Sequence, residues 1–377
     1  MSQGNAVADV VPSEVLVIGA GVIGLAAASE LASHAAVVVL DRYPKFGQET
    51  SSRNSEVVHS GIHYPPASFK TRWCIEGREA LYAYCRDRGI PHAKIGKFVV
   101  ATTPSETEYL TKLAAHCKSL QVPCEPVTGA RISQSEPLVR AEAGLFFPET
   151  GIVDSHVFMA SLERAITEKE GVIAYRSTVT GISRTPNGWR VETEGAGGNL
   201  AVEARIVVNA AGLAAAELTN LALSTSRYEH RLCRGRYFAV PGYTRKFKHL
   251  VYPVPRKDGL GVHVTLDMGG NVRLGPDVDW CEGVGYREHT RLYDCDWEGL
   301  LPAFLASVRA YCPGIPEGAL TPGLIGIRPK LFIDGKARPD FLVENHQGWI
   351  HCLGIESPGL TSALAIAKKV SELALGG

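Results

Sequence analysis

Residues 14–24 read EVLVIGAGVIG, the strongest structural signal in the chain. Val15–Ile18 is an uninterrupted apolar run, which is typical of a strand buried on both faces of a parallel sheet. A glycine-rich turn follows at once, and a helical pattern then continues through Leu31. A second apolar run, Val37–Leu40, predicts the next strand. The order strand, turn, helix, strand indicates a Rossmann-like α/β unit.

The turn has the spacing Gly-x-Gly-x-x-Gly, which suits the binding of a dinucleotide. Gly19 permits the tight turn, Gly21 lets backbone approach a pyrophosphate, and Gly24 lets helix and strand pack closely. The helix N-terminus faces the phosphates, and an acid about twenty residues later binds a ribose hydroxyl. The predicted contacts are Gly19, Gly21, Val22, Ile23, Gly24, Asp41 and Arg42. This motif alone does not separate NAD from FAD.

A second unusual stretch, residues 50–66, reads TSSRNSEVVHSGIHYPP. It is too polar for a core helix and carries too little charge for a solvated one. It concentrates small hydroxyls, one arginine, one asparagine and two histidines soon after the second strand. The central part of an FAD crosses the carboxyl edge of such a sheet, and a loop of this composition is suited to hold it.

This loop resembles that of the FAD-dependent D-amino-acid-oxidase superfamily, and more closely that of its L-2-hydroxyglutarate dehydrogenase/oxidase family. The family motif N-S-x-V-I-H-x-G-I-Y-Y appears here as NSEVVHSGIHY, residues 54–64. Glu56 stands where the best-known members have glycine, and His63 stands where they have an aromatic residue. The resemblance implies that His59 lies beside the isoalloxazine ring. It implies further cofactor contacts at Thr50, Ser51, Ser52, Arg53, Asn54, Ser55 and Ser60.

Two more segments resemble cofactor signatures of the same superfamily. Residues 204–213, ARIVVNAAGL, predict a buried strand that ends in small residues close to the cofactor. Residues 348–367, GWIHCLGIESPGLTSALAIA, predict a strand, a turn and a helix whose N-terminus stabilises negative charge on a flavin. The implied contacts are Ala210, Ala211, Gly212, Ser357, Pro358, Gly359, Leu360 and Thr361. The three segments together predict FAD.

The substrate side is predicted from two further segments. Gly326-Ile327-Arg328-Pro329 resembles a segment of amino-acid oxidases in which the arginine grips the substrate carboxylate, with Gly326 and Arg328 also near the cofactor. The strand containing His263 and Thr265 resembles one in the hydroxyglutarate family, and both side chains should share one face. His59 and His263 are equal candidates for the base. Lys330 is an alternative carboxylate ligand, and Tyr64, Arg236 and Tyr237 are secondary substrate contacts.

The predicted architecture is a two-domain α/β flavoprotein. A discontinuous FAD-binding domain comprises residues 1–89, 148–226 and 316–377. A substrate-binding domain, residues 90–147 and 227–315, should form an antiparallel sheet over the flavin. The 377 residues are 45% apolar, which suffices for a large core.

Charge and cysteine content limit the classes of partner and binding site that the chain can have. Lys+Arg and Asp+Glu both number 39, so nothing suggests a nucleic-acid surface. The first fifteen residues lack Lys and Arg, no apolar run is long enough for a membrane span, and the nine cysteines show no paired metal spacing. We therefore expect a cytoplasmic protein with reduced thiols and no metal site. Peripheral membrane contact stays open.

The favoured function is oxidation of a small 2-hydroxy acid, resembling L-2-hydroxyglutarate, to the 2-oxo acid by hydride transfer to flavin N5. The acceptor of the electrons is expected to be oxygen or quinone. One alternative is an amine or amino-acid oxidase, such as a glycine or sarcosine oxidase. Another is a flavin-binding protein without turnover. The sequence leaves the oligomeric state undetermined.

Overall fold

The computed structural model describes residues 9–195, 198–255 and 261–376. Its helices within these residues are α1 Val22–Leu31, α2 Phe69–Arg88, α3 Pro104–Ser119, α4 Gly129–Ser135, α5 Ser155–Thr167, α6 Ala215–Leu223, α7 His289–Tyr293, α8 Trp297–Arg309 and α9 Gly359–Leu375. Short 3₁₀ turns occur at Thr50–Ser52, Gly212–Ala214 and Glu317–Ala319.

The described residues form twenty-one strands. They are β1 Asp9–Ile18, β2 Val37–Leu40, β3 Val57–Val58, β4 His92–Ala93, β5 Lys97–Ala101, β6 Glu125–Thr128, β7 Ala143–Phe147, β8 Gly151–Val153, β9 Val172–Ala174, β10 Ser177–Thr185, β11 Gly188–Gly195, β12 Leu200–Asn209, β13 Tyr228–Ala239, β14 Leu250–Pro253, β15 His263–Leu266, β16 Val272–Gly275, β17 Asp279–Trp280, β18 Thr321–Ile333, β19 Lys336–Ala337, β20 Leu342–His346 and β21 Trp349–Leu353.

The first sheet has a parallel centre in the order β21-β12-β1-β2-β9. β20 adds an antiparallel edge next to β21, and the β10–β11 hairpin continues the sheet from the first half of β12. Helices α1, α2, α5 and α9 cover one face through a large apolar core. A smaller core that includes Trp189 and Trp349 covers the other face. This is the Rossmann-like layer predicted from residues 14–41.

The second sheet has the order β19-β18-β13-β16-β15-β14-β5-β7-β6, with β17 paired to β13. Its pairs are antiparallel except β5 with β14, which run parallel. Helices α3 and α8 contribute to the core on this sheet through residues such as Leu113 and Phe304. A mixed α/β architecture with a Rossmann-like layer and a largely antiparallel layer is thereby confirmed. A short third sheet has the order β3-β8-β4.

Strand β18 links the two layers. It falls in the segment 316–377 that we assign to the cofactor domain, yet it pairs with β13 in the second sheet over most of its length. The hydroxyl of Thr50 donates to the carbonyl of Ile327 on β18 over 3.1 Å. A Cβ on Gly326 would lie 2.2 Å from the Arg53 carbonyl, so only glycine permits this approach. The predicted domain boundaries remain a prediction.

Candidate active site

The glycine-rich turn joins β1 to α1 and packs closely against neighbouring backbone atoms. Gly19 has a φ of +107°, in a region that favours glycine, and a Cβ there would lie 2.5 Å from the Ala210 carbonyl. A Cβ on Gly24 would lie 1.8 Å from the Gly19 carbonyl. Glycine at both positions therefore lets β1, β12 and α1 meet at one point, with the N-terminus of α1 directed to the carboxyl edge of the sheet.

Asp41 and Arg42 follow β2 at the same edge. The Asp41 carboxylate accepts hydrogen bonds from the backbone N–H groups of Ala20 (2.7 Å) and Tyr43 (2.8 Å). Burial raises the pKa of the Asp41 carboxyl, and the two N–H donors oppose that rise. The Arg42 guanidinium pairs with Glu49. Asp41 therefore supports the glycine turn directly, and Arg42 is engaged by another carboxylate.

The polar loop that begins at Thr50 is held in place by its own side chains. Ser51 Oγ accepts from the Val22 N–H at 3.0 Å, which fastens the loop to the start of α1. The Asn54 amide donates to the Ser51 carbonyl at 2.7 Å and accepts from the Glu56 N–H at 2.8 Å. These bonds explain why asparagine and serine occur here rather than generic loop residues.

Glu56 occupies a position that favours glycine. Its φ is +59°, which is uncommon for a residue with a Cβ. Its carboxylate accepts from the Ser155 hydroxyl at 2.9 Å and lies 3.6 Å from the Arg273 guanidinium. These contacts offset the backbone cost, since strain of this kind persists when surrounding contacts determine it. The departure from the family motif at Glu56 is thus compatible with the same loop conformation.

The N-terminus of α9 holds the segment that contains His59. The Thr361 hydroxyl accepts from the His59 N–H at 3.0 Å and donates to the Val57 carbonyl at 3.2 Å. His59 Nε2 lies 3.4 Å from the Ser357 hydroxyl. Thr361 therefore positions His59 through the backbone and does not itself line the cavity described next.

A cavity of about 400 Å³ lies where these elements meet the second sheet. The predicted site residues that line it are Val22, Ile23, Thr50, Ser51, Arg53, Asn54, Ser55, His59, Ser60, Tyr64, Ala210, Gly212, Tyr237, His263, Gly326, Arg328, Lys330, Ser357, Pro358, Gly359 and Leu360. Those that do not are Gly19, Gly21, Gly24, Asp41, Arg42, Ser52, Ala211, Arg236, Thr265 and Thr361. Residues separated by more than 300 positions, such as Val22 and Leu360, thus share one space.

Two histidines in the cavity have depressed basicity. Burial, reinforced by the charge of Lys97, lowers the pKa of His59 to about 3. The same two causes, in the same order, lower the pKa of His63 well below its ordinary value. Both imidazoles are therefore neutral at physiological pH. A third ring, His263, is stacked on Tyr252 with centroids 3.5 Å apart and an interplanar angle of 12°.

The cationic residues divide into those that face the cavity and those that are taken up elsewhere. The Arg328 guanidinium lines the cavity and donates to the Asp277 carbonyl at 2.8 Å. Lys330 lines it too, but its ammonium pairs with Glu356 at 2.7 Å. The Arg236 guanidinium binds Asp277 and Asp279 instead of pointing into the cavity. Arg328 is therefore the predicted cation best placed for a carboxylate.

The chain is similar to known proteins over most of its length. The model of the FAD dependent oxidoreductase family, DAO, matches residues 14–373. The chain belongs to this family. It is 37% identical to the mitochondrial L-2-hydroxyglutarate dehydrogenase of Arabidopsis thaliana, over 95% of this chain and 83% of that protein. It is 27% identical to the L-2-hydroxyglutarate dehydrogenase of Escherichia coli K12, over 94% of this chain and 91% of that protein.

Solved structures show the same fold. L-alpha-glycerophosphate oxidase from Mycoplasma pneumoniae, solved with FAD bound, superimposes with a TM-score of 0.85 at 25% identity, over 97% of this chain and 95% of that one. Glycine oxidase from Geobacillus kaustophilus superimposes with a TM-score of 0.78 at 20% identity, over 96% of this chain and 94% of that one. The second likeness concerns the fold alone.

The cavity fits the FAD on which the family depends. Two helices, α1 and α9, present their N-termini to it, at Val22 and at Gly359. Helix N-termini carry partial positive charge, which suits a pyrophosphate and the pyrimidine end of a flavin. A Cβ on Gly21 would lie 3.0 Å from Ser51 Oγ, so glycine keeps the approach to α1 open. FAD would be held by residues 50–55 of the polar loop and by the N-termini of α1 and α9.

Several cavity residues escaped the sequence analysis. They are His63, Lys70, Lys97, Tyr252 and Glu356. Lys97 opens a strand of the form KFVVA, and its charge beside four apolar residues of a fully buried strand was a usable signal. Lys70 and Glu356 lie 286 positions apart and form a buried pair at 2.7 Å. No local sequence pattern predicts a pair between residues so far apart in the chain.

Two other features of the described residues concern metals and membranes. Glu344, His346 and His351 place one ligand atom each within 4.8 Å of the others, at the edge of the first sheet and outside the cavity lining. The nine cysteines are all described, and none forms a disulfide. None of the described helices has the length and apolar character required to cross a bilayer.

Proposed function

We propose that this FAD-dependent oxidoreductase oxidises a small 2-hydroxy acid to the 2-oxo acid, with L-2-hydroxyglutarate as the candidate substrate. The observation that carries the proposal is the cavity, which combines imidazoles with cations. An α-hydroxy acid needs a base for its hydroxyl proton and a cation for its carboxylate. The L-2-hydroxyglutarate dehydrogenases that match nearly the whole chain support the same chemistry.

The residues divide the work as follows. Arg328 grips the C1 carboxylate, because a guanidinium has five N–H donors and only some are used by the Asp277 carbonyl. His59 or His263 accepts the proton of the C2 hydroxyl. The His59 imidazole is neutral, so it can take up a proton, and its ring is positioned by the Ser357 hydroxyl and the Thr361 anchor. Bound FAD supplies the acceptor for the hydride that leaves C2 as the carbonyl forms.

The two electrons must then pass to a second acceptor. We propose oxygen or quinone for that role. An oxygen electrode with and without a soluble quinone distinguishes the two, since only one of them should sustain multiple turnovers.

The first experiment is anaerobic bleaching of the flavin absorption band. The purified yellow protein is mixed separately with L-2-hydroxyglutarate, D-2-hydroxyglutarate, L-lactate, glycine and sarcosine. We expect fast bleaching by L-2-hydroxyglutarate and slow or absent bleaching by the amines. In the same assay, His59→Gln and His263→Gln report which imidazole is the base, because loss of a general base slows proton removal by about 10²–10⁴-fold.

The controls separate chemistry from folding. Each variant must retain the wild-type flavin content, so that a slower rate reflects the missing imidazole. Bleaching by glycine or sarcosine in preference to every 2-hydroxy acid would overturn the proposal and indicate an amine oxidase. Absence of bleaching by all five compounds would favour a flavin-binding protein without turnover.

A further inference from the structure

Two side chains in the cavity wall carry polar atoms that are buried and lack a hydrogen-bond partner within the described residues. They are Lys97, at its ammonium, and His63, at both ring nitrogens. Buried polar groups are almost always paired in folded proteins, because an unpaired one loses its hydration without compensation. Neither residue has a part in the reaction proposed above. These unsatisfied hydrogen-bonding atoms indicate that a bound ligand supplies the missing partner.

Lys97 is an unusual place for a charge. It is the first residue of β5, its side chain is fully buried, and it lies between Phe147 and Leu250 in the second sheet. Its ammonium lies 4.9 Å from the centre of the Tyr252 ring and 5.2 Å from that of Phe147. Aromatic faces attract a cation but replace little of its hydration. A buried ammonium is stable chiefly when an anion joins it.

The Lys97 side chain stays charged in this buried environment. Burial lowers the pKa of the Lys97 ammonium to about 8, which still leaves it mostly protonated at neutral pH. An arriving anion would favour the charged form and raise that pKa. The site therefore has a positive charge at rest and gains stability when a negative group arrives.

His63 lines the same cavity as Lys97, and its two ring nitrogens are also buried without a partner among the described residues. The charge of Lys97 is among the causes that lower the pKa of His63, as it is for His59. A neutral imidazole donates one N–H, which suits the second oxygen of a carboxylate. In the family motif this position is tyrosine, so the imidazole is a feature of this chain.

The pair is also near the reacting end of the cavity. The Tyr252 ring stacks on His263 and contacts the Lys97 ammonium. Arg328 and Lys330 line the same cavity from β18, and Lys97 lines it from β5. The cavity thus has two separate cationic places, one on β18 and one on β5, with the candidate base beside the second.

We propose that Lys97 and His63 form a subsite for the distal carboxylate of a dicarboxylic 2-hydroxy acid. This rests on the proposed function for the reacting end, where Arg328 grips the C1 carboxylate. The subsite binds the C5 carboxylate, two methylene groups beyond the carbinol carbon of 2-hydroxyglutarate. It makes the enzyme selective for a dicarboxylate over a 2-hydroxy acid of equal length with an apolar end.

The test begins with binding and does not require turnover. Glutarate, a dicarboxylate without the hydroxyl group, is titrated by calorimetry into the FAD-loaded wild type and the Lys97→Met variant, and pentanoate is titrated as the matched monocarboxylate. We expect Lys97→Met to weaken glutarate binding by at least about 30-fold, the lower end for loss of one partner of a buried ion pair. Pentanoate should bind both proteins with similar, weaker affinity.

Anaerobic bleaching then reports specificity. Wild type should prefer L-2-hydroxyglutarate to L-2-hydroxypentanoate, and Lys97→Met should lose most of that preference by slowing only the dicarboxylate. His63→Phe, which keeps an aromatic ring but removes both ring nitrogens, should shift selectivity in the same direction by a smaller factor. Lys248→Met is the control, because Lys248 is exposed and precedes β14, the neighbour of β5. It should behave as wild type.

The outcomes separate the two proposals. Equal loss of affinity for glutarate and pentanoate in Lys97→Met, or loss for neither, overturns the subsite even when L-2-hydroxyglutarate bleaches the flavin. Lys97-dependent glutarate binding without bleaching by any 2-hydroxy acid supports the subsite and overturns the proposed reaction. A misfolded variant is recognised by its thermal transition. Lys97→Met removes an unpaired buried charge, so its transition should not fall below that of wild type.

Discussion

Glu356 places one buried carboxylate between two lysines in the wall of the cavity. Its carboxylate lies 2.7 Å from the ammonium groups of both Lys70 and Lys330. Burial alone would raise the pKa of Glu356, yet the two lysines hold that pKa below its ordinary value of 4.5. Because the folded-state pKa is depressed, the pairing contributes stability above about pH 4.5, and this stability is lost as the pH falls through the folded-state pKa.

Glu356→Gln tests this directly. We expect the free energy of unfolding at pH 7 to fall by about 3 kcal/mol, the lower end for a broken buried ion pair, because about a third of the Lys330 side chain remains exposed. The difference from wild type should shrink as the pH is lowered below 4.5. Urea unfolding at pH 7 and pH 4 measures both values. Glu108→Gln, at an exposed pair with Lys112, is the control and should change little. An equal loss at both pH values would contradict the ion-pair account.

At the scale of elements, α2 and α9 approach each other through Gly77. A Cβ at this position would lie 2.4 Å from the Thr361 carbonyl and 2.8 Å from the Ser362 Cα. These are backbone atoms at the start of α9, the same turn that anchors His59 through the Thr361 hydroxyl. The small size of Gly77 therefore matters twice, for the packing of the two helices and for the placement of a cavity residue.

Gly77→Ala should lower the stability of the protein, although alanine has the higher helix propensity. Alanine in an exposed helix is favoured over glycine by about 1 kcal/mol, but here the added methyl group must displace backbone. We expect a net loss of about 1–3 kcal/mol of stability, typical of overpacking, together with weaker retention of FAD. Thermal unfolding and flavin content after gel filtration measure the two effects. Glu76→Ala, on the exposed side of α2, is the control and should retain FAD. Equal or greater stability of Gly77→Ala would show that α2 can shift without cost.

At the scale of the whole molecule, the cavity is the place where the two sheets meet. Its wall takes Val22 and Ala210 from the first sheet's connections, and Tyr252 and His263 from strands of the second sheet. A ligand in this space contacts both layers. Each layer also has a core of its own, one including Val17 and the other Val99. FAD should therefore stabilise the pairing of layers more than either layer alone.

Removal of FAD provides the measurement. A ligand that binds only the folded state contributes about 2.7 kcal/mol when present at a hundred times its dissociation constant. We expect the apoprotein to unfold at a lower temperature, and added FAD to restore the transition in a concentration-dependent way. Scanning calorimetry of apoprotein titrated with FAD gives the result. Riboflavin is the comparison, since it lacks the pyrophosphate that the start of α1 should hold. An unchanged transition would mean that the cavity does not hold FAD.

The amino-acid sequence by itself determined the local elements and the cofactor family. The strand before Gly19, the helix through Leu31 and the strand at Trp349–Leu353 all appear where the sequence predicts them. Such elements follow from signals within a few residues, namely apolar periodicity, turn glycines and helix starts. The match of Asn54 and His59 to a family motif likewise needed no structure.

Only the tertiary structure decided how the charged residues are used. Pairing of β13 with β18 and β17 brings Arg236 to Asp277 and Asp279, which removes it from the cavity. The packing of α2 against α9 places Glu356, in the turn before α9, between Lys70 and Lys330. The parallel pairing of β5 with β14 buries Lys97 beside Tyr252. The physical reason is that a charge takes its partner from whatever the fold places within a few ångströms, and that partner lies tens to hundreds of residues away along the chain.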